Sequence, residues 1–99
     1  MRVYVSSASA AIGPPILAYA ECRMFAVLAR HPFVQGARVL LRHDSIEGKV
    51  RCSVTIQFVT AGSARAHATG PHAAATIDCA VGRVVRLIRR RFQRDAVGA

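Results

Sequence analysis

The chain has no tryptophan, a single lysine and only five acidic residues in 99. It also has only six aromatic rings, two tyrosines and four phenylalanines. Apolar runs are short, and nothing approaches the roughly 18 consecutive apolar positions of a spanning helix, so that class is excluded. Residues 10–20 come nearest to a signal peptide, but Pro14-Pro15 breaks the segment and no basic cluster precedes it; a cytoplasmic protein is expected. Cys22, Cys52 and Cys79 are odd in number and form no CxxC pair, which argues against a disulfide framework and for small buried thiols in a reducing compartment. No internal repeat and no low-complexity linker interrupts the chain. So short a chain leaves little room for a two-domain enzyme, and one domain over residues 1–95 with a short tail, 96–99, is expected.

Arginine is what the chain has in abundance. Thirteen arginines and Lys49 against five acids give a net charge of +9 and a pI near 11.3. Such a surface calls for a polyanion, nucleic acid first and an acidic membrane second, because phosphate arrays bind an Arg-rich surface without a pocket. The apolar share of 53% is enough for a core without staples if most of those positions are buried.

Hydrophobic period divides the chain into elements. Residues 2–6 form a short β-rich run that ends in the small polar cluster 6–10. From Ile16 to Arg30 the residues Ile16, Ala20, Met24, Val27 and Leu28 fall on one helical face, opened by Gly13-Pro14-Pro15 and closed by His31-Pro32. After Gly36 the period becomes two. Val39, Leu41 and His43 alternate with Arg38, Leu40 and Arg42, and residues 45–48 supply a turn. Residues 49–59 are the clearest strand, with Val50, Cys52, Val54, Ile56 and Phe58 on one face. Ala64, Ala66 and Ala68 then alternate with Arg65, His67 and Thr69, small enough to lie close under a helix. Residues 72–94 make a long amphipathic helix whose stripe is Ala74, Ile77, Val81, Val84, Ile88 and Phe92. The expected fold is therefore α+β in the order β-α-β-β-β-α, a four-stranded, mostly antiparallel sheet with two helices on one face. Its other face is left to solvent, with Arg38, Arg42, Arg51, Arg65 and His67 projecting from it.

At 100° per residue, Arg83, Arg86, Arg90 and Arg94 share one side of the last helix, roughly opposite its apolar stripe, and Arg89 and Arg91 flank them. No acid lies between Asp78 and Asp95. Arginines at i, i+4 repel by a few tenths of a kcal/mol per pair, roughly, so the arrangement does not serve helix stability. It suits phosphate, whose oxygens match the guanidinium fork and whose neutralisation releases counterions.

The element order, the Ile12 and Ile16 pair, Arg23, and the stretch from Ala64 through Gly70 into Ala74-Ala75-Thr76-Ile77-Asp78 resemble the short ribosome hibernation-promoting factors, also known as ribosome-associated inhibitors or sigma-54 modulation proteins. The resemblance covers nearly the whole chain. It implies a domain shaped like a double-stranded RNA-binding domain. Such a domain docks on ribosomal RNA of the small subunit between head and body, where messenger RNA and tRNA anticodon stems lie, and holds the bacterial ribosome inactive under stress or in stationary phase. On this resemblance Arg83, Arg86 and Arg90 are helix contacts and Arg23 a first-helix contact. Charge geometry adds Arg94, Arg89 and Arg91, and the open sheet face adds Arg38, Arg42 and Arg65. No second domain of the kind long members use to pair ribosomes is expected, and a monomer is expected off the ribosome.

Other classes fit less well. His31, His43, His67 and His72 are scattered without paired carboxylates, Asp44 and Glu47 share one turn, and Cys52 falls on a core position, so neither a catalytic constellation nor a metal site is expected. Nor is a cofactor or a small-molecule substrate. A membrane-surface helix would need bulky anchors beside its basic face, and only Leu87 is close. A non-ribosomal structured-RNA-binding module is the nearest alternative. With few aromatics, and none expected on the open sheet face, recognition is expected to be of RNA backbone and shape.

Overall fold

The computed structural model describes residues 2–60 and 62–98, with side chains through Arg91. The elements are β1 (Arg2–Ser7), α1 (Pro14–Leu28), β2 (Val34–Asp44), β3 (Lys49–Phe58), β4 (Ser63–Gly70) and α2 (Ala73–Gly98). They form one four-stranded sheet in the order β1-β2-β3-β4. β1 runs parallel to β2, as a strand joined through a crossover helix must, whereas β2, β3 and β4 are an antiparallel meander. The α+β class and the β-α-β-β-β-α order expected above are those observed.

Each element follows from its local chemistry. Gly13 is extended and uncapped by any side chain, and Pro14 and Pro15 occupy the first helical positions of α1, where a missing amide breaks no helical bond. The helix thus starts two residues before Ile16 and stops at Leu28, ahead of Pro32. Asp44 builds the β2–β3 turn, its Oδ1 accepting from the amides of Ile46 (2.9 Å) and Glu47 (3.2 Å), and Gly48 closes it at φ 66°. β2 begins at Val34, before the alternation that starts at Ala37. The register slips between Val34 and Gly36, leaving Gln35 as an extra residue that breaks the two-residue period and hides this part of the strand from a pattern reading.

Both helices cover one face. The core joins Ala20, Met24 and Leu28 of α1, Val39 and Leu41 of β2, Cys52, Val54 and Ile56 of β3, and Ile77, Val81, Val84 and Ile88 of α2. Ala66 and Ala68 on β4 leave room for α2 to lie close. One expected core position is not there: Ala74 is exposed. The first turn of α2 rests on Gly70 through buried Thr76 instead, whose hydroxyl donates to the His72 carbonyl (2.7 Å), and this turns Ala74 outward. Phe92, the last residue of the expected stripe, lies outside the described side chains.

Candidate nucleic-acid interface

The arginines of α2 divide into two groups. Arg83, Arg86 and Arg90 are exposed and line, with Leu87 and with Arg65, Ala66 and His67 of β4, a shallow groove of about 310 Å³. Arg83 donates to the backbone carbonyl of His67, which fixes the helix beside the strand. β4 is an edge strand packed under α2, so Arg65, which the alternation assigns to the open sheet face, also reaches the helix ridge. Helical spacing and strand alternation treat the two surfaces as separate, because neither period alone says which strand the helix borders.

Arg91 has a packing role. Its guanidinium lies 4.3 Å from the centroid of the Phe58 ring, which stacks on Phe33. Arg89 is exposed near His31, whose pKa is lowered first by burial and then by the charges of Arg89 and Arg30. Arg94 lies outside the described side chains. Arg23, on α1, is half-exposed and engaged with α2: its Nε sits 3.1 Å from Asp78 Oδ1, and the Tyr19 hydroxyl donates to the same oxygen at 2.6 Å. That hydrogen bond, with lesser help from burial and the Asp78 charge and opposed by Arg23, raises the Tyr19 pKa. Asp78 therefore ties α1 to α2 and is kept off the arginine groove.

The open face of the sheet carries Arg2 on β1, Arg38 and Arg42 on β2, Arg51 on β3 and Arg65 and His67 on β4, all exposed. Arg42 stands directly opposite Arg51, a like-charged pair that costs stability in isolation. Asp44, Glu47 and Lys49 cluster at the hairpin end, where Lys49 Nζ is 3.9 Å from Glu47 Oε2. Among the described residues no carboxylate lines the α2–β4 groove. Contrary to the expectation of no aromatic there, Tyr4 occupies the open face: it is 56% exposed, and β1 pairs with β2 in a register that sets Tyr4 beside Arg38. The run Val3-Tyr4-Val5 held the signal, since its alternation puts both valines inward.

Cys52 is fully buried, and burial pushes its thiol up to about 11, so it is a packing residue rather than a nucleophile; Cys22 and Cys79 are exposed. Among the described residues no group of three or more His, Cys, Asp or Glu side chains is placed to hold a metal. Among the described residues no helix is long and apolar enough to cross a membrane.

The small mixed sheet is backed by two helices and concentrates guanidinium groups on one edge and one face, a surface whose chemistry suits phosphate oxygens. Residues 3–95 match the family described as Sigma 54 modulation protein / S30EA ribosomal protein, and the chain belongs to that family, one of ribosome-associated factors rather than enzymes. No curated protein matches the sequence. Solved structures share the fold, two among them as follows. A ribosomal subunit interface protein from Coxiella burnetii superposes with a TM-score of 0.82 at 10% identity, covering 94% of this chain and 99% of its own. The N-terminal domain of Thermus thermophilus Protein Y does so at 0.71 and 21%, covering 90% and 93%.

Proposed function

We propose that this protein is a ribosome hibernation factor of the cytoplasm. It binds ribosomal RNA of the small subunit in the channel used by messenger RNA and tRNA, inhibits translation and keeps inactive ribosomes intact under stress. It does so as a single domain that is monomeric off the ribosome. The observation that carries this reading is the α2–β4 groove, where Arg65, Arg83, Arg86 and Arg90 converge with no carboxylate among the described residues of its walls. Guanidinium forks hold phosphate oxygens bidentately, and the described walls of the groove set no carboxylate against a phosphate backbone. Arg38 and Arg42 extend the cationic surface over the open sheet face. Arg89 and Arg23 lie at the margins, and Arg91 contributes charge from its seat on Phe58.

The test is the triple variant Arg83→Glu, Arg86→Glu and Arg90→Glu in a purified translation system. All three side chains are exposed, so the variant keeps the core and gives up only the Arg83 bond to the His67 carbonyl; circular dichroism establishes that it is folded, and inhibition of translation should be lost. The Arg→Lys version, which keeps the charge but not the fork, should lose less. A folded triple-Glu protein that inhibits as well as the parent would refute the groove as the contact surface. Equal binding to the small subunit and to an unrelated folded RNA would favour a non-ribosomal RNA-binding module.

A further inference from the structure

Tyr4 stands apart from the phosphate-binding groove. Its ring is 56% exposed on edge strand β1 and makes no ring or hydrogen-bond contact among the described residues. Around it lies a hollow of about 690 Å³ lined by Arg2, Gln35, Gly36, Arg38, Thr55 and Gln57. That is within the size range of small-ligand sites. The hollow offers an aromatic face, two guanidinium groups, two side-chain amides and, among the described residues, no carboxylate. It depends on close backbone packing: a Cβ on Gly36 would fall 2.8 Å from the Arg2 carbonyl oxygen, so only glycine lets β1 sit this near to β2.

The register links this hollow to the groove. Tyr4 faces Arg38, Arg38 faces Thr55, and Thr55 faces Arg65, all on the open side of the sheet. Three strand spacings make this row about 14 Å long. It ends at Arg65, which also lines the α2–β4 groove.

We infer that Tyr4 is a stacking platform for an unpaired nucleotide, and that a single-stranded RNA segment leaves the α2–β4 groove at Arg65 and crosses the open sheet face to reach it. The base lies on the phenol ring. Arg38 and Arg2 take the flanking phosphates, and the Gln35 and Gln57 amides lie within the hollow to meet base edges. A duplex hides its base faces inside the stack, so the exposed ring selects single strands, and it does so with little sequence preference because every base has a π face. This inference rests on the RNA-binding reading, and it adds a second RNA form to the backbone recognition proposed above.

The absence of tryptophan supplies the assay, because Tyr4 and Tyr19 are the only strong intrinsic fluorophores. The Tyr19→Phe variant, which keeps the ring and loses only an exposed hydroxyl contact, leaves Tyr4 as the reporter. Titration with oligouridylate should quench its emission, and a short RNA duplex should quench it far less. In the full chain Tyr4→Ala should weaken oligouridylate binding about tenfold by anisotropy of a labelled oligonucleotide, and Tyr4→Phe should restore it. Circular dichroism establishes that each variant is folded. Unchanged oligouridylate affinity in Tyr4→Ala, or equal quenching by duplex, would overturn the inference. Loss of the ribosomal reading would show elsewhere, as failure to sediment with small subunits, so the two results are separable.

Discussion

Val54 and Thr55 are neighbours in β3 whose substitution by aspartate should have opposite consequences. Val54 is fully buried between Val39 and Ala66. Its side chain contributes about 1.5–3 kcal/mol by burial, and an unpaired carboxylate in its place adds a penalty of several kcal/mol. Set against a total stability of about 5–10 kcal/mol for a chain of this size, Val54→Asp should unfold the domain. Thr55 lies on the open face with Arg38 opposite on one side and Arg65 opposite on the other. An aspartate there gains two opposite-charge cross-strand pairs of about 0.2–1 kcal/mol each, against a loss of strand propensity of up to about 1 kcal/mol. Thr55→Asp should therefore stay within about 1 kcal/mol of the parent in urea unfolding. It should also weaken RNA binding, because it neutralises two arginines of the row. The log–log salt dependence of binding should flatten by roughly 1.5 units. Unfolding of Thr55→Asp would refute the face assignment, and a folded variant with the parent's affinity and salt slope would remove the open sheet face from the RNA surface.

Gly36→Ala should cost about 1–3 kcal/mol in urea unfolding and raise hydrogen exchange at β1 above the other strands, since the new Cβ meets backbone; uniform protection across the sheet would contradict this. Thiol reagents should label exposed Cys22 and Cys79 quickly in the folded protein and Cys52 only on unfolding. The Cys52 thiol has an ordinary value of 9.0 and a folded value of about 11, so between those pH values the folded state retains a proton that the unfolded state has lost. Its contribution is complete below pH 9 and declines by about 1.4 kcal/mol per unit as pH rises toward 11, a slope that Cys52→Ala should lack.

Much of the fold is written in periodicity. The alternation in residues 49–59 gives the inward and outward faces of β3 residue by residue, and Pro14-Pro15 and Pro32 bracket α1 because proline acts through local backbone geometry. The readings that failed are those in which tertiary packing overrides local pattern. The bulge at Gln35 conceals the start of β2, and the contact of Thr76 with Gly70 turns Ala74 out of the core. For the site, charge and helical spacing single out Arg83, Arg86 and Arg90, but they do not reveal that Arg65 joins them. That needs the strand order, which places β4 at the edge beside α2. Spacing is equally blind to the occupations of Arg91 and Arg23, one seated on Phe58 and the other engaged with Asp78, since both partners are distant in sequence. Tyr4 is marked only by the short alternation Val3-Tyr4-Val5, and the pairing of β1 with β2 is needed to set it beside Arg38.

The central claim is that arginines of the α2–β4 groove hold RNA of the small ribosomal subunit. It is tested most directly by sedimenting the protein with purified small subunits at about 50 and 200 mM salt, beside the triple-Glu variant. Four phosphate contacts at Arg65, Arg83, Arg86 and Arg90 predict that the parent pellets with subunits at the lower salt and loses about a hundredfold in affinity at the higher, with the variant in the supernatant at both. A parent that remains in the supernatant at low salt, or one that pellets equally at both salts and no better than the variant, would contradict the account.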